Sequence, residues 1–248
     1  MLLKPNLKAG ERLDDLEYDG LKIIQNPSLY CFTSDAILLA NMVKAGSKDT
    51  VCDLGTGSGI IATIIATKCN PQKVYGIEIQ ESLFDMAKRS VEYNNLDDKI
   101  EIIHSSIQNA CDILGKNSMT RVVCNPPYQK IGAGETQIKE ELAICRHEVM
   151  VTLEEIVVVA RDLLKFGGKF YIVHQAKRLA TLINLLENNN LRVKQINLIQ
   201  PKSTKNVDTV IVEAVKNGKE GLIIPPAIIV NNEDNSVTEK VKEFYRKD

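Results

Sequence analysis

The tetrapeptide Asn125-Pro126-Pro127-Tyr128 follows the apolar run V-V-C and is a costly way to end a buried strand. Residues before proline are held out of the helical region, so Asn125 and Pro126 are both extended, and a proline has no N–H to donate. The turn therefore offers acceptors, the Asn125 amide oxygen and the Pro126 carbonyl, beside the ring of Tyr128. A planar NH2 group suits that arrangement. An exocyclic adenine nitrogen is a poor nucleophile because its lone pair is delocalised into the ring. With both hydrogens taken by acceptors it pyramidalises and directs the lone pair at an electrophilic methyl. Such a site stabilises charge that develops in the transition state and positions the attack in line. It needs no strong general base, because the alkylated nitrogen is acidic. Stacking of Tyr128 on the base is worth ~1–3 kcal/mol.

A second chemical stretch is D-L-G-T-G-S-G-I-I-A, with Asp53 at a strand end and Gly55, Gly57 and Gly59 in the turn. Glycines there allow positive φ and close approach of a ligand to the main chain at the carboxyl edge of a sheet. Glu78, in V-Y-G-I-E-I, ends the next strand, where a carboxylate accepts hydrogen bonds from ribose hydroxyls. Glycine spacing alone leaves two cofactor classes open. Gly57-Ser-Gly-Ile-Ile-Ala62 satisfies the dinucleotide fingerprint, with Glu78 about 20 residues on. The alternative pattern is D-x-G-x-G-x-G. Its leading Asp53 disfavours a pyrophosphate and suits the ammonium of the methionine part of S-adenosylmethionine, directly or through water.

These groups must be positioned by the elements around them. The centre of the 248-residue chain alternates short β-branched runs with helix-like segments, the signature of a parallel sheet covered on both faces. Strands are expected at residues 50–54, 74–79, 99–104, 121–124 and 169–174, and helices at 60–68, 81–94, 107–114, 152–165 and 177–188. The glycines at 167 and 168 are expected to stop the helix before them. Runs at 192–199 and 207–215 are joined by P-K-S-T-K-N, too short for a crossover helix, so that pair is expected to be antiparallel. A strand or hairpin at 18–25 and a helix at 34–43 precede the core, and a charged helix at 237–246 follows it. No linker divides the chain. The expected organisation is one domain over 1–248, with an N-terminal extension (1–45), a Rossmann-like core (46–216) and a C-terminal strand and helix (217–248).

Composition narrows the class further. With 44% hydrophobic residues the chain can bury a sizeable core, and it has no apolar run of membrane-spanning length and no signal-like N-terminus. These features point to a cytoplasmic protein without a membrane partner. Six cysteines (Cys31, Cys52, Cys69, Cys111, Cys124, Cys145) show no C-x-x-C and no His at metal-ligand spacing, so reduced thiols and no metal are expected. A net charge of −1 gives no global footprint for nucleic acid, although a local patch fits within a balanced total.

Together the stretches F-T-S-D-A-I-L-L-A-N, V-C-D-L-G-T-G-S-G-I, G-I-E-I, N-P-P-Y, R-H-E at 146–148 and D-T-V-I-V-E-A-V-K-N-G resemble the Rossmann-like class I methyltransferases that use S-adenosylmethionine. More narrowly, the chain is similar to the tRNA N6-adenine methyltransferases that modify the purine beside the anticodon of a valine tRNA. The resemblance spans roughly residues 10 to 230. It implies an α/β fold with helices on both faces of a seven-stranded, mostly parallel sheet whose last strand is antiparallel, and tRNA as substrate. It places Phe32, Thr33 and Asp35 near the methionine end of the cofactor, and Asp53, Gly55, Gly57 and Gly59 along its backbone. Glu78 falls on the ribose and Ile79 on the adenine. Asn125, Pro126 and Tyr128 form the acceptor site, Asn125 also bordering the cofactor. Where this class often has an acidic residue after the third strand, the chain has H-S-S-I, so Ser106 is left to accept from the cofactor's adenine amino group.

Other readings remain beside this one. N-P-P-Y also serves enzymes that methylate a glutamine amide of release factors, and rRNA bases or small amines present similar NH2 groups. An NAD-dependent oxidoreductase needs a proton donor that His104 and His174, at strand ends, do not convincingly supply. A non-catalytic nucleic-acid or protein-binding module is a further class. Arg146-His147-Glu148 reads as a solvated helix end or a phosphate contact, and Lys202 and Lys205 as solubilising lysines beside a turn.

Overall fold

The computed structural model describes residues 6–29, 34–126 and 151–245. Among the described residues the strands are β1 (Arg12–Asp15), β2 (Lys22–Gln25), β3 (Thr50–Leu54), β4 (Lys73–Glu78), β5 (Ile100–His104), β6 (Met119–Cys124), β7 (Leu164–Gln175), β8 (Leu191–Gln200), β9 (Thr209–Lys216) and β10 (Ile228–Ile229). β1 and β2 form a separate antiparallel hairpin; the others make one sheet in the order β10-β8-β9-β7-β6-β3-β4-β5. β9 runs antiparallel to both β7 and β8, as the short connection requires, and the remaining pairs are parallel.

Both faces of this sheet are covered, which is why its strands read as continuous apolar runs. Side chains alternate between two cores. Val51, Val123, Tyr171, Val173 and Ile211 face α1 (Ser34–Met42) and α2 (Ile60–Cys69). Cys52, Val122, Phe170, Ile172 and Val212 face α4 (Ala110–Leu114), α5 (Leu153–Leu163) and α6 (Leu179–Asn188). Between β4 and β5 lies α3 (Glu81–Tyr93), whose Leu83 and Met86 pack on Ile24 of the hairpin. α2 is buried nearly all round because it is sandwiched between the sheet and α1, so its sequence lacks a polar face.

Three expectations change. The helix expected over 152–165 ends at Leu163, because Leu164 is already paired with Met119 of β6. Gly167 and Gly168 therefore turn a bulge within β7, where the register jumps from Met119↔Leu164 to Arg121↔Lys169. The sheet has eight strands and not seven, because the C-terminal strand expected within 217–248 forms as Ile228–Ile229 and pairs with Ile199–Gln200 at the sheet edge. The helix expected at 237–246 shrinks to α7 (Glu239–Lys242), capped by the Thr238 hydroxyl, since Val237 bridges back to Asn231.

Gly76, in the middle of β4, is required by packing rather than by φ. A Cβ there would lie 2.9 Å from Ile102 Cδ1 and 2.9 Å from Thr56 Cγ2. Thr56 is pinned by its hydroxyl on Asp53, so it cannot step aside cheaply. Gly76→Ala is expected to cost about 1–3 kcal/mol in urea unfolding. Thr56→Ser, which removes the opposing methyl, should recover part of that loss; an unchanged loss would mean that Thr56 is not what resists the new methyl.

Candidate active site

The carboxyl ends of β3, β4, β5 and β6 lie at one edge of the sheet, and Leu54 pairs in register with Cys124. The next residues of the two strands are Gly55 and Asn125, so the topology sets the glycine turn beside the N-P-P turn. Asn125 is half-buried and Pro126 buried. Phe32, Thr33, Pro127, Tyr128 and Arg146-His147-Glu148 lie outside the described residues.

The glycine turn has the backbone its sequence implies. Gly55, Gly57 and Gly59 have φ of 73°, 59° and 88°, a region costly for residues with a Cβ. The Ile77 carbonyl accepts from the N–H groups of Gly55 and Thr56, locking the turn onto β4. A Cβ on Gly59 would come within 3.3 Å of Ala87 Cβ of α3, whereas one on Gly57 would meet nothing within 4 Å among the described residues. Gly59 thus serves close packing, and the space over Gly57 is left for a ligand.

Two buried carboxylates flank this space. Asp53 is fully buried; its Oδ2 accepts from the Thr56 hydroxyl at 2.6 Å, while Oδ1 has no hydrogen-bond partner among the described residues. Burial pushes its carboxyl up to about 7; the Thr56 bond opposes the shift, the negative charge of Glu78 adds to it, and the backbone N–H of Ala62 opposes it more weakly. Glu78 is buried too, and its oxygens accept from the backbone N–H groups of Gly57 (2.9 Å) and Gln80 (2.8 Å). Burial raises its pKa, with those two N–H groups holding it down. An ionised carboxylate has about four acceptor sites, so capacity for hydroxyl donors remains.

The other expected positions fall around them. Ile79 follows β4, half-buried, and its carbonyl accepts from His104 Nε2 at 2.8 Å. The His104 ring stacks on Phe84, centroids 5.1 Å apart, so this histidine braces the loop and is not placed as a catalyst. Ser106 opens a 3-10 turn without making a side-chain cap, consistent with a hydroxyl kept for another partner. Asp35 sits in the first turn of α1, where its charge, with that of Glu17, adds to the burial that raises the Tyr245 phenol. His174 is buried beside Arg178; burial, then that charge, lowers its pKa. Sequence reasoning missed Thr56, Gln25, Ser58 and Ile107, which surround the glycine turn. Thr56 and Ser58 were visible as the variable positions of the motif; Gln25 and Ile107 carry no local signal. A cavity of about 540 Å³ between the hairpin, α1 and α7 is lined by Asp15, Glu17, Ser34 and Tyr245, and none of the carboxylates flanking the glycine turn lines it.

Cys52, Cys69, Cys111 and Cys124 are free thiols, and burial raises Cys52 and Cys124 well above the usual range, which makes them inert. Among the described residues no group of three or more His, Cys, Asp or Glu could hold a metal, and no helix is long and apolar enough to cross a membrane.

The ordered sheet, the positive-φ glycine turn and the buried Asp53 and Glu78 carboxylates fit S-adenosylmethionine, and the fold is that of a Rossmann-like methyltransferase using this cofactor. The chain belongs to the methyltransferase small domain family, whose model matches residues 23–197. It is 22% identical over 227 residues to the tRNA1(Val) (adenine(37)-N6)-methyltransferase of Shewanella woodyi, covering 87% of this chain and 92% of that one. Among solved structures it resembles a predicted O-methyltransferase from Agrobacterium tumefaciens (TM-score 0.68, 19% identity, 85% of this chain and 95% of that chain). It also resembles TYW2 of M. jannaschii in complex with AdoMet (TM-score 0.58, 16% identity, 84% of this chain and 87% of that chain).

Proposed function

We propose that the chain transfers a methyl group from S-adenosylmethionine to N6 of an adenine beside the anticodon of a tRNA. The observation that carries this is the register of β3 on β6, which puts Asn125 alongside the glycine turn. The cofactor supplies an electrophilic methyl on a sulfonium. Asp53 takes the ammonium of its amino-acid part and Glu78 its ribose hydroxyls. Ile79 packs on its adenine, and Ser106 accepts from the adenine amino group. Phe32, Thr33 and Asp35 border the methionine end.

Asn125 and the Pro126 carbonyl accept the two N–H bonds of the target nitrogen, which frees its lone pair from the ring. An N–C bond forms as the S–C bond breaks, and the nitrogen proton leaves to water. Tyr128 stacks on the target base. Asn125 therefore acts mainly in the transition state, because its acceptance strengthens as positive charge develops on nitrogen.

The name of the Shewanella relative favours tRNA over other NH2-bearing substrates. Charge at this edge agrees. β8 runs parallel to β7, so the 201–206 loop with Lys202 and Lys205 emerges at the same edge as Lys177 and Arg178, which follow β7. The Ala176 N–H donates to the Asp208 carbonyl, which holds the two segments together. Cations at this edge support a phosphate-bearing substrate, with Lys202 also donating to the Glu233 carbonyl at 3.0 Å. Purified protein with labelled S-adenosylmethionine is expected to label total tRNA, at N6 of adenine after digestion. Label appearing only in a release factor, in rRNA or in the metabolite fraction would replace this substrate.

A further inference from the structure

Gln25 ends β2 and is only 2% exposed, an uncommon place for a long amide unless both of its polar atoms are used. Its Nε2 donates to Ser58 Oγ of the glycine turn at 2.9 Å, yet Oε1 is buried without a hydrogen-bond partner among the described residues. Asp53 Oδ1 is in the same condition. Each of these side chains uses its other polar atom on the same turn, Asp53 on Thr56 and Gln25 on Ser58. A buried acceptor oxygen left unpaired carries its full desolvation penalty, so two of them beside one glycine turn call for a donor that the ligand brings.

The placement of Gln25 is firmly determined. The Ile24 N–H donates to Ser90 Oγ at 2.9 Å, and the Lys22 backbone exchanges two hydrogen bonds with the Asn94 amide, which sews β2 to α3. Oε1 accepts and cannot donate, so its partner must bring an N–H or O–H. S-adenosylmethionine carries such donors on its adenine amino group, its ribose hydroxyls and its ammonium. The first two belong with Glu78, which ends β4, and with Ile79 and Ser106, which follow β4 and β5. Gln25 instead reaches Ser58, two residues before α2, on the flank that leads to Asp35 and α1.

We propose that Gln25 is a cofactor-binding residue: its Oε1 accepts a hydrogen bond from the ammonium of the amino-acid end of S-adenosylmethionine, sharing that group's donors with Asp53. The Nε2 bond to Ser58 keeps the amide in place. This inference rests on the glycine turn being the seat of the cofactor.

The test compares two ligands by calorimetry: S-adenosylhomocysteine, which has the amino-acid end, and 5′-methylthioadenosine, which lacks it. Gln25→Leu is expected to weaken S-adenosylhomocysteine by about 10-fold or more, as for one lost hydrogen bond to a charged group, and methylthioadenosine by no more than about twofold. Gln25→Glu, which keeps an acceptor of the same length, should restore most of the loss. Equal weakening of both ligands would make Gln25 a brace for the turn and overturn the proposal, as would no change in either. In the wild-type protein, the side-chain amide NMR signals of Gln25 should shift on adding S-adenosylhomocysteine and stay put with methylthioadenosine. An equal response to the two, or none, also overturns it, even where Gln25→Leu fails to fold. Wild-type protein that binds neither ligand would overturn the seat of the cofactor itself.

Discussion

Asn125→Ala is expected to lower kcat by on the order of 100-fold while leaving S-adenosylmethionine affinity within about twofold of wild type. The asymmetry follows from what the side chain faces. In the proposed reaction its oxygen meets a nitrogen whose hydrogens are only weakly polarised in the bound adenine and strongly polarised as the methyl arrives. Alanine therefore removes an interaction worth most in the transition state. Asn125 sits one residue beyond Cys124, which is fully buried in β6, so the strand should hold its position in the variant. Single-turnover rates on tRNA, set beside a cofactor titration for the same protein, measure both quantities. Wild-type turnover by Asn125→Ala would make the N-P-P turn structural. Loss of cofactor affinity in proportion to rate would move Asn125 from the acceptor to the cofactor.

The second large effect concerns Asp53. Its carboxyl is pushed up to about 7 in the folded protein against an ordinary value of 3.8, chiefly by burial. The folded state therefore holds this proton more tightly than the unfolded chain. Its contribution to stability is complete below pH 4 and is lost as pH rises through about 7. Above that pH the ionised, buried carboxylate is a strain, which a cation relieves. Cofactor binding should thus release a proton, and affinity should climb by up to about tenfold per pH unit below 7 before levelling off. Asp53→Asn keeps the shape and removes the charge. It is expected to flatten this pH dependence, to raise Tm at pH 8, and to weaken S-adenosylmethionine by about 30-fold, the loss of one charge-assisted bond. Calorimetry between pH 5.5 and 7.5 reads all but the Tm. A flat wild-type profile, or an Asp53→Asn protein that binds as wild type, would remove Asp53 from the ammonium.

Much of the fold was legible because the sheet is parallel and buried on both faces. Its strands are short apolar runs bounded by Gly, Asn and Pro, and the P-K-S-T-K-N connection between β8 and β9 excludes a parallel crossover. What misled the reading were places where pairing overrides local signals. The Gly167-Gly168 pair looks like a helix stop, yet Leu164 already belongs to β7 because Met119 pairs with it. The C-terminal strand expected within 217–248 forms at Ile228–Ile229, but that it joins the main sheet as an eighth strand depends on the open edge of β8 beside it, a condition no window of sequence contains.

The candidate site divides in the same way. Asp53, Gly55, Gly57, Gly59, Glu78 and Asn125 stand out in the chain because a positive φ needs glycine, and because charged or amide groups at strand ends need a reason to be there. That logic is local, so it survives without coordinates. The spare oxygens of Asp53 and Gln25 are another matter. Gln25 lies 33 residues before Ser58, in a hairpin outside the sheet, and looks like any polar residue at a strand end. Only the packing of β2 on α3 brings its amide to the glycine turn and excludes water from Oε1. Burial and hydrogen-bond satisfaction are properties of an enclosed space, made by segments that sequence order keeps apart. For that reason the residue types name the chemistry, and the folded chain alone sets which acceptors are left waiting for a donor.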